Sequence, residues 1–197
     1  MPRPVDHARR SALLDAAVDY AIDYGFADLS WRPVATALGV STTTLMYHFG
    51  TKERMLEAIL GRVRDRIFVA TTDQAEPQTD LAAAARAIWS WSADPQRRAM
   101  FRLFFAVYGR ALQQPAQFDS FLSRVVTDWM QALDPPGPPV PDGAERDIQK
   151  TLVIATIRGL LLDLLTTGDE PRVHRAFDSF ARDLDRPGRP GADETRQ

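Results

Sequence analysis

Three consecutive threonines, Thr42, Thr43 and Thr44, stand directly after Ser41 and before Leu45. A row of β-branched residues forms helix poorly, so helix propensity does not account for them. Their hydroxyls donate or accept and their methyls make apolar contact, which suits hydrogen bonding to base edges in a duplex groove. The plainer reading is that one or two satisfy free amides at a helix start. Tyr47, His48 and Lys52 follow, a phenol, an imidazole and an ammonium that suit phosphate oxygens and would position rather than read. His48 has a second reading as a buried capping histidine. Arg32 could meet guanine O6 and N7 with its planar fork, or be a solvated surface arginine.

Catalytic chemistry finds little support. Three histidines occur, at positions 7, 48 and 174, far apart in sequence. There is no HExxH pair for a metal, no GxSxG elbow and no glycine loop to cradle phosphate. Cysteine is absent, which removes disulfides, thiolate zinc sites and thiol nucleophiles. Asp163 near Arg158 reads as an ion pair or a polar pocket element. The expectation is a non-enzyme without cofactor or metal.

Elements that would position those residues are visible around them. Val34, Ala35 and Leu38 precede Gly39, Val40 and Leu45, which is the spacing of a helix-turn-helix. Ala35 is small enough for two helices to cross closely, and Gly39 can take the positive-φ turn between them. Val40 and Leu45 would face the small core, and Ser41 would cap the second helix. In such a motif the exposed first turn, TTT, enters the major groove.

Long segments all carry helical periodicity, and none shows a sustained alternating strand pattern. A first helix is expected over about Asp6 to Tyr24, with Leu13, Ala16, Ala17, Tyr20 and Tyr24 on one face, ending at Gly25. Thr51 would cap a fourth helix whose stripe is Met55, Leu56, Ile59, Leu60, Val63 and Ile67. After the polar break TTDQAEPQTD, a fifth helix places Leu81, Ala84, Ala85, Ile88 and Trp91 together. Asp94-Pro95 opens a sixth, with Phe101, Phe104, Phe105, Tyr108 and Leu112. Pro115 restarts the chain into a seventh, with Phe118, Leu122, Val125, Trp129 and Leu133. DPPGPPVPDG must be a loop. An eighth helix runs from about Ala144 to Thr167, and Glu170-Pro171 opens a ninth with Val173, Phe177, Phe180 and Leu184. The fold class is therefore all-α, about nine helices, and the tail 188–197 reads as disordered.

The chain has 197 residues, 45% of them hydrophobic and 25% charged, with a formal net charge of −2. That balance does not announce nucleic-acid binding. The placement of early cations helps more: Arg3, Arg9, Arg10, Arg32, Lys52 and Arg54 could flank one face. The amino terminus lacks the apolar core of a secretory signal, and TLVIATIRGLLLDLL is interrupted by Arg158 and Asp163. A cytoplasmic protein without membrane association is expected.

From Phe26 to Leu56 the chain resembles the TetR family of transcriptional regulators, through Gly39-Val40-Ser41, Leu45, His48-Phe49, Lys52-Glu53 and Leu56. Two departures accompany the match: Thr43 stands where the family usually has glycine or proline, and Met46 where it usually has tyrosine. The resemblance implies an amino-terminal DNA-binding domain over residues 1–50, a connector helix over 51–70, and a ligand-binding and dimerisation domain over 71–187. It inclines His48 toward phosphate contact and implies a palindromic duplex operator as partner. It further implies a pocket between helices four to eight for an apolar or aromatic effector, lined by residues in surplus of the core stripes, which include Trp89, Phe121 and Met130. Candidates are Trp89, Phe101, Phe105, Tyr108, Phe121 and Trp129, with Arg102 and Asp163 as polar groups. Packing alone is the competing reading of those aromatics. The eighth helix is apolar almost all round and, with the ninth, would form a homodimer interface. A ligand-responsive repressor is the expectation, although the residues do not separate repression from activation. A helical ligand-binding or scaffold protein without DNA affinity is the alternative.

Overall fold

The computed structural model describes residues 6–25, 29–72, 80–134 and 143–185. The tail, most of the polar break and most of the proline-rich loop anticipated from the sequence lie outside them. Among the described residues are nine α-helices: α1 His7–Tyr24, α2 Trp31–Ala37, α3 Thr42–Phe49, α4 Lys52–Thr72, α5 Leu81–Ser92, α6 Arg98–Gln113, α7 Asp119–Ala132, α8 Gly143–Thr167 and α9 Glu170–Leu184. Short 3-10 turns at Pro95–Arg97 and Pro115–Gln117 precede α6 and α7. Each follows from a proline that cannot continue the preceding helix.

Side chains set most helix starts. Asp6 accepts from Arg9 N at 3.0 Å, Asp80 from Ala83 N at 2.7 Å and Asp169 from Arg172 N at 3.1 Å. Thr51 accepts from Arg54 N at 3.2 Å to open α4, as its sequence position suggests. Each such cap satisfies an amide that the helix itself leaves without a partner.

The helices group into two compact units. One contains α1 to α4, α6 and most of α7; the other contains α5, α8 and α9. In the first unit α1 packs on α4 and α6, and α2 and α3 close the amino-terminal end. Its core combines Leu14, Ala17, Val18 and Ala21 of α1 with Met55, Ile59, Leu60, Val63 and Ile67 of α4. The α4 stripe is the expected one except for half-buried Leu56, whereas the α1 face is rotated from the expected one. Ala16 is exposed, Tyr24 is 63% exposed, and Tyr20 stacks on Tyr24 at 4.7 Å. Leu14, Val18 and Ala21 form the tighter apolar strip beside Ala17, and the bulkier Tyr24 is left at the surface.

In the second unit α5, α8 and α9 pack pairwise. The inward tryptophan of α5 is Trp89, 4% exposed and stacked on Phe177 at 4.8 Å, while Trp91 is half-buried. The stripe read from the sequence assigns Trp91 to that face instead. α5 carries alanine on both flanks, so an aromatic partner on α9 decides which indole turns inward. The Trp89 indole N–H also donates to His174 Nδ1 at 3.1 Å, which fixes the acceptor tautomer of that imidazole. α8 buries Val153, Ile154, Ile157, Leu161 and Leu164, with Lys150 among them at 5% exposure. That ammonium donates to Asp134 at 2.8 Å and pairs with Asp147 at 2.9 Å. Burial pulls its pKa down, but the two carboxylates outweigh burial and raise it, so the charge stays.

Candidate functional site

The turn between α2 and α3 is a backbone device. Gly39 sits at φ +65°, its N–H donates to Thr36 O at 3.2 Å, and Val40 N–H donates to Ala35 O at 3.0 Å. This crossed pair is the Schellman arrangement, and it requires a left-handed residue where glycine has no Cβ penalty. Ser41 then accepts from Thr44 N at 3.0 Å and opens α3. Beneath α3, Val34, Ala35 and Leu45 are 0%, 3% and 0% exposed, so the crossing is a sealed core. Burying a leucine such as Leu45 stabilises by roughly 1.5–3 kcal/mol.

What remains outside on α3 is a short polar and amphipathic face. Thr43 is exposed, and Met46 and Tyr47 are 46% and 50% exposed. Thr42 is half-buried, as is Thr44, whose hydroxyl shares a 2.9 Å hydrogen bond with Ser41. Thr44 therefore takes part in the cap, and Thr43 is the threonine most fully presented. Arg32 on α2 and Lys52 at the start of α4 are both exposed. Lys52 adds its charge to the positive end of α4, a favourable place for a phosphate.

His48 is turned inward, unlike Tyr47 before it. Its side chain is among the buried polar groups at 9% exposure, and Nδ1 has no hydrogen-bond partner. Its carbonyl accepts from Arg10 Nε at 3.1 Å, and the same guanidinium lies 5.3 Å from the Phe49 ring centroid. Arg10 thus holds the carboxyl end of α3, where carbonyls lack helical donors and a cation is favoured. The burial weighs against His48 reaching a phosphate and toward its reading as a packed residue closing the helix.

A clasp unread in the sequence joins α1 to α4. Arg62 and Arg66 of α4 face Asp15 and Asp19 of α1, with Arg62 Nη2 also donating to Ser11 at 3.0 Å. Two acids and two arginines, each pair at i, i+4, were the available signal. Pairing across some 47 residues was not.

The aromatic candidates divide between the two units. Phe101, Phe104, Phe105, Tyr108 and Phe121 form one cluster on α6 and α7, with Phe104–Phe121 at 6.2 Å and Tyr108–Phe121 at 5.9 Å. Phe101 and Phe121 are buried at 4% and 2%, whereas Phe105 and Tyr108 are half-buried. Trp129 meets Phe68 edge to face at 6.3 Å, and Arg102 is exposed. Trp89 and Asp163 belong to the other unit. Asp163 accepts from both terminal nitrogens of Arg172 at 2.7 Å, and these hydrogen bonds hold its carboxyl below the usual range. Its observed partner is therefore Arg172 on α9. Among the described residues no cluster of His, Asp or Glu could hold a metal, and no helix is long and apolar enough to cross a membrane.

Comparison with known proteins agrees with this arrangement. Residues 13–59, from α1 to the middle of α4, match the family described as bacterial regulatory proteins, tetR family. The HTH-type transcriptional regulator BetI of Rhizobium meliloti is 28% identical over 127 residues, covering 55% of this chain and 63% of that relative. The chain thus spans a little less than two thirds of the length of that curated relative. A transcriptional regulator from Rhodococcus sp. Rha1 superposes with a TM-score of 0.71 at 25% identity, over 89% of this chain and 95% of its own. The multidrug binding protein EbrR, solved with imidazole, superposes with a TM-score of 0.69 at 24% identity, over 96% of both chains.

Proposed function

Since this chain belongs to the TetR family of bacterial regulatory proteins, we propose that it is a ligand-responsive transcriptional repressor that binds a palindromic operator as a homodimer. The observation that carries the reading is α3: a serine-capped helix over a sealed core, with Thr43, Met46 and Tyr47 outward. Thr42 and Thr43 serve the bases or the adjoining backbone, with Thr44 held in the cap and exposed Arg32 of α2 as a further contact. Tyr47 and Lys52 take phosphates, and His48 supports the end of the helix. Met46 in place of the family's tyrosine removes one phosphate contact from this set.

One eight-residue helix gives too little contact for a specific site, so two copies related by a dyad are needed. Support for the dimer comes from α8, whose outer side carries Ile148, Leu152 and Leu162, each at least half exposed, with Ala155 and Gly159 between them. Those positions recur at intervals of four and three, the seam of two helices packed side by side. The functional division proposed is a reading head over residues 1–50, α4 as connector, and a body from residue 71 to 187 for effector and partner.

An apolar or aromatic effector is supported by the cluster on α6 and α7, where half-buried Phe105 and Tyr108 leave ring surface available. EbrR, which shares the fold, is a multidrug binding protein, and the same broad class of ligand is proposed here. Such a ligand releases DNA only if it binds the DNA-incompetent arrangement more tightly, because differential affinity alone moves the equilibrium.

Gel shift of the full chain on the region upstream of its own gene, with and without aromatic cations or phenols, tests the reading. A retarded band abolished by ligand is expected. Failure to retard any genomic fragment would overturn it, and would favour a binding protein without DNA affinity.

A further inference from the structure

An open cleft of about 680 Å3 runs along α4, walled by α1 and the end of α3 on one side and the start of α7 on the other. Five arginines line it, Arg10, Arg54, Arg62, Arg64 and Arg124, against two carboxylates, Glu57 and Asp65. The arginines are not equivalent. Arg62 is held by Asp15 and Ser11, and Arg64, 4% exposed, by Asp65 and Asp128. Arg124 shares Asp128 with Arg64 at 3.5 Å and is 59% exposed. Arg10 faces a carbonyl and a ring rather than an acid, and the Arg54 side chain has no polar partner among the described residues.

Two lining side chains also keep buried nitrogens without hydrogen-bond partners, His48 Nδ1 and Arg64 Nε. The second lies 3.3 Å from Asp128, close enough for charge attraction but not aligned for a hydrogen bond. A buried guanidinium N–H left in that condition is costly, and a bound acceptor that reorganises it would relieve the cost. Cationic walls, an unmet guanidinium N–H and a volume inside the range of small-molecule sites point to one ligand chemistry.

We propose that the cleft is a second ligand site, taking a small organic anion whose phosphate or carboxylate groups sit on Arg10 and Arg54 at one wall and Arg124 at the other. The anion bridges α1 and the end of α3 to α7 across α4. Duplex DNA is the less suitable occupant. Arg10 grips the carboxyl end of α3 and Arg124 lies on α7, while the threonines stand at the amino end of α3, about 12 Å away along an eight-residue helix; of the lining residues only Tyr47 is shared with the phosphate contacts proposed above. The site also holds independently of whether the head reads DNA, and it is distinct from the aromatic cluster of α6 and α7.

Calorimetric titration of the full chain with pyrophosphate, and separately with succinate, tests the proposal, ionic strength being matched with potassium chloride. Saturable binding of one anion per chain is expected, tighter than about 1 mM for whichever group fits. Arg124→Gln and Arg54→Gln each weaken it by about tenfold or more, the loss of one hydrogen bond to a charged group. Arg124 is largely exposed, so its replacement leaves the unfolding midpoint in anion-free buffer unchanged. Thr43→Ala retains the binding. Binding of pyrophosphate alone assigns phosphates, and of succinate alone carboxylates. Three results overturn the proposal: no saturable heat with either anion, binding indifferent to Arg124→Gln, or binding lost in Thr43→Ala. Weaker duplex affinity in Arg124→Gln without any small-anion binding would make the cleft a nucleic-acid surface instead.

Discussion

Arg62 Nη1 on α4 donates to both carboxylate oxygens of Asp15 on α1, at 2.7 and 2.9 Å. Arg66 reaches the same carboxylate at 3.0 Å and the Asp15 carbonyl at 3.2 Å. Burial lowers the Arg66 pKa, but hydrogen bonds to Asp19 and Asp15 outweigh it and raise the value. α1 is thus tied to α4 by charge as well as by its apolar face.

Replacing that acceptor tests how far the two helices move as one. Asp15→Asn should cost about 1 kcal/mol, because the group is partly exposed and screened. A lowered urea midpoint with unchanged slope would report it. Duplex affinity should fall severalfold in the same variant although no reading residue is altered.

Cap and reading function separate on α3. Ser41→Ala removes an acceptor for Thr44 N and should cost about 1 kcal/mol in stability. Thr43→Ala, at an exposed position, should leave the melting temperature unchanged and reduce preference for operator over random duplex. Equal loss on both duplexes would mean that Thr43 positions and does not read.

Lys52 is proposed as a phosphate contact. Lys52→Gln should weaken binding to all sequences alike and reduce the log–log salt slope by about one unit per site. A slope unchanged over a salt titration would remove Lys52 from the contact set.

The outer seam of α8 carries the expected association. Leu152→Arg places a charge where the side chain is 55% exposed in the single chain, so the fold should tolerate it. Native mass spectrometry should find dimer for the parent chain and monomer for the variant. A dimer persisting in the variant would assign the interface elsewhere.

Acid should loosen α9. Arg172 holds the Asp163 carboxyl below its ordinary range, and Arg86 does the same for Asp185. A depressed folded value means that each contribution is complete above the ordinary carboxylate range, near about 4, and vanishes as pH falls through the folded value. The urea midpoint should therefore decline below about pH 4, modestly since both pairs face solvent, and less steeply in Arg86→Gln and Arg172→Gln.

The helix-turn-helix was legible because its constraints are local. Gly39, Ser41 and Thr51 act within a few residues of themselves, so residue type and spacing identify the turn and the caps. The stripe of α4 was legible for the same reason. The inward face of α1 was not, because Leu13 and Ala17 belong to two adjacent faces and packing against α4 and α6 selects one. Trp89 and Trp91 posed the same problem on α5, resolved only by Phe177. His48 illustrates the limit at the candidate site: a histidine beside an exposed tyrosine can face either way, and Arg10, 38 positions earlier, closes over its carbonyl. The arginine cleft likewise draws on helices that no local pattern associates.

The hinge at Gly39 is maintained by two amide–carbonyl bonds that owe nothing to side-chain identity beyond the missing Cβ. Sequence drift in the first turn of α3 therefore leaves the angle of presentation intact. On the function proposed above, exchanging Thr42 or Thr43 would change what α3 presents without changing the angle at which the turn presents it.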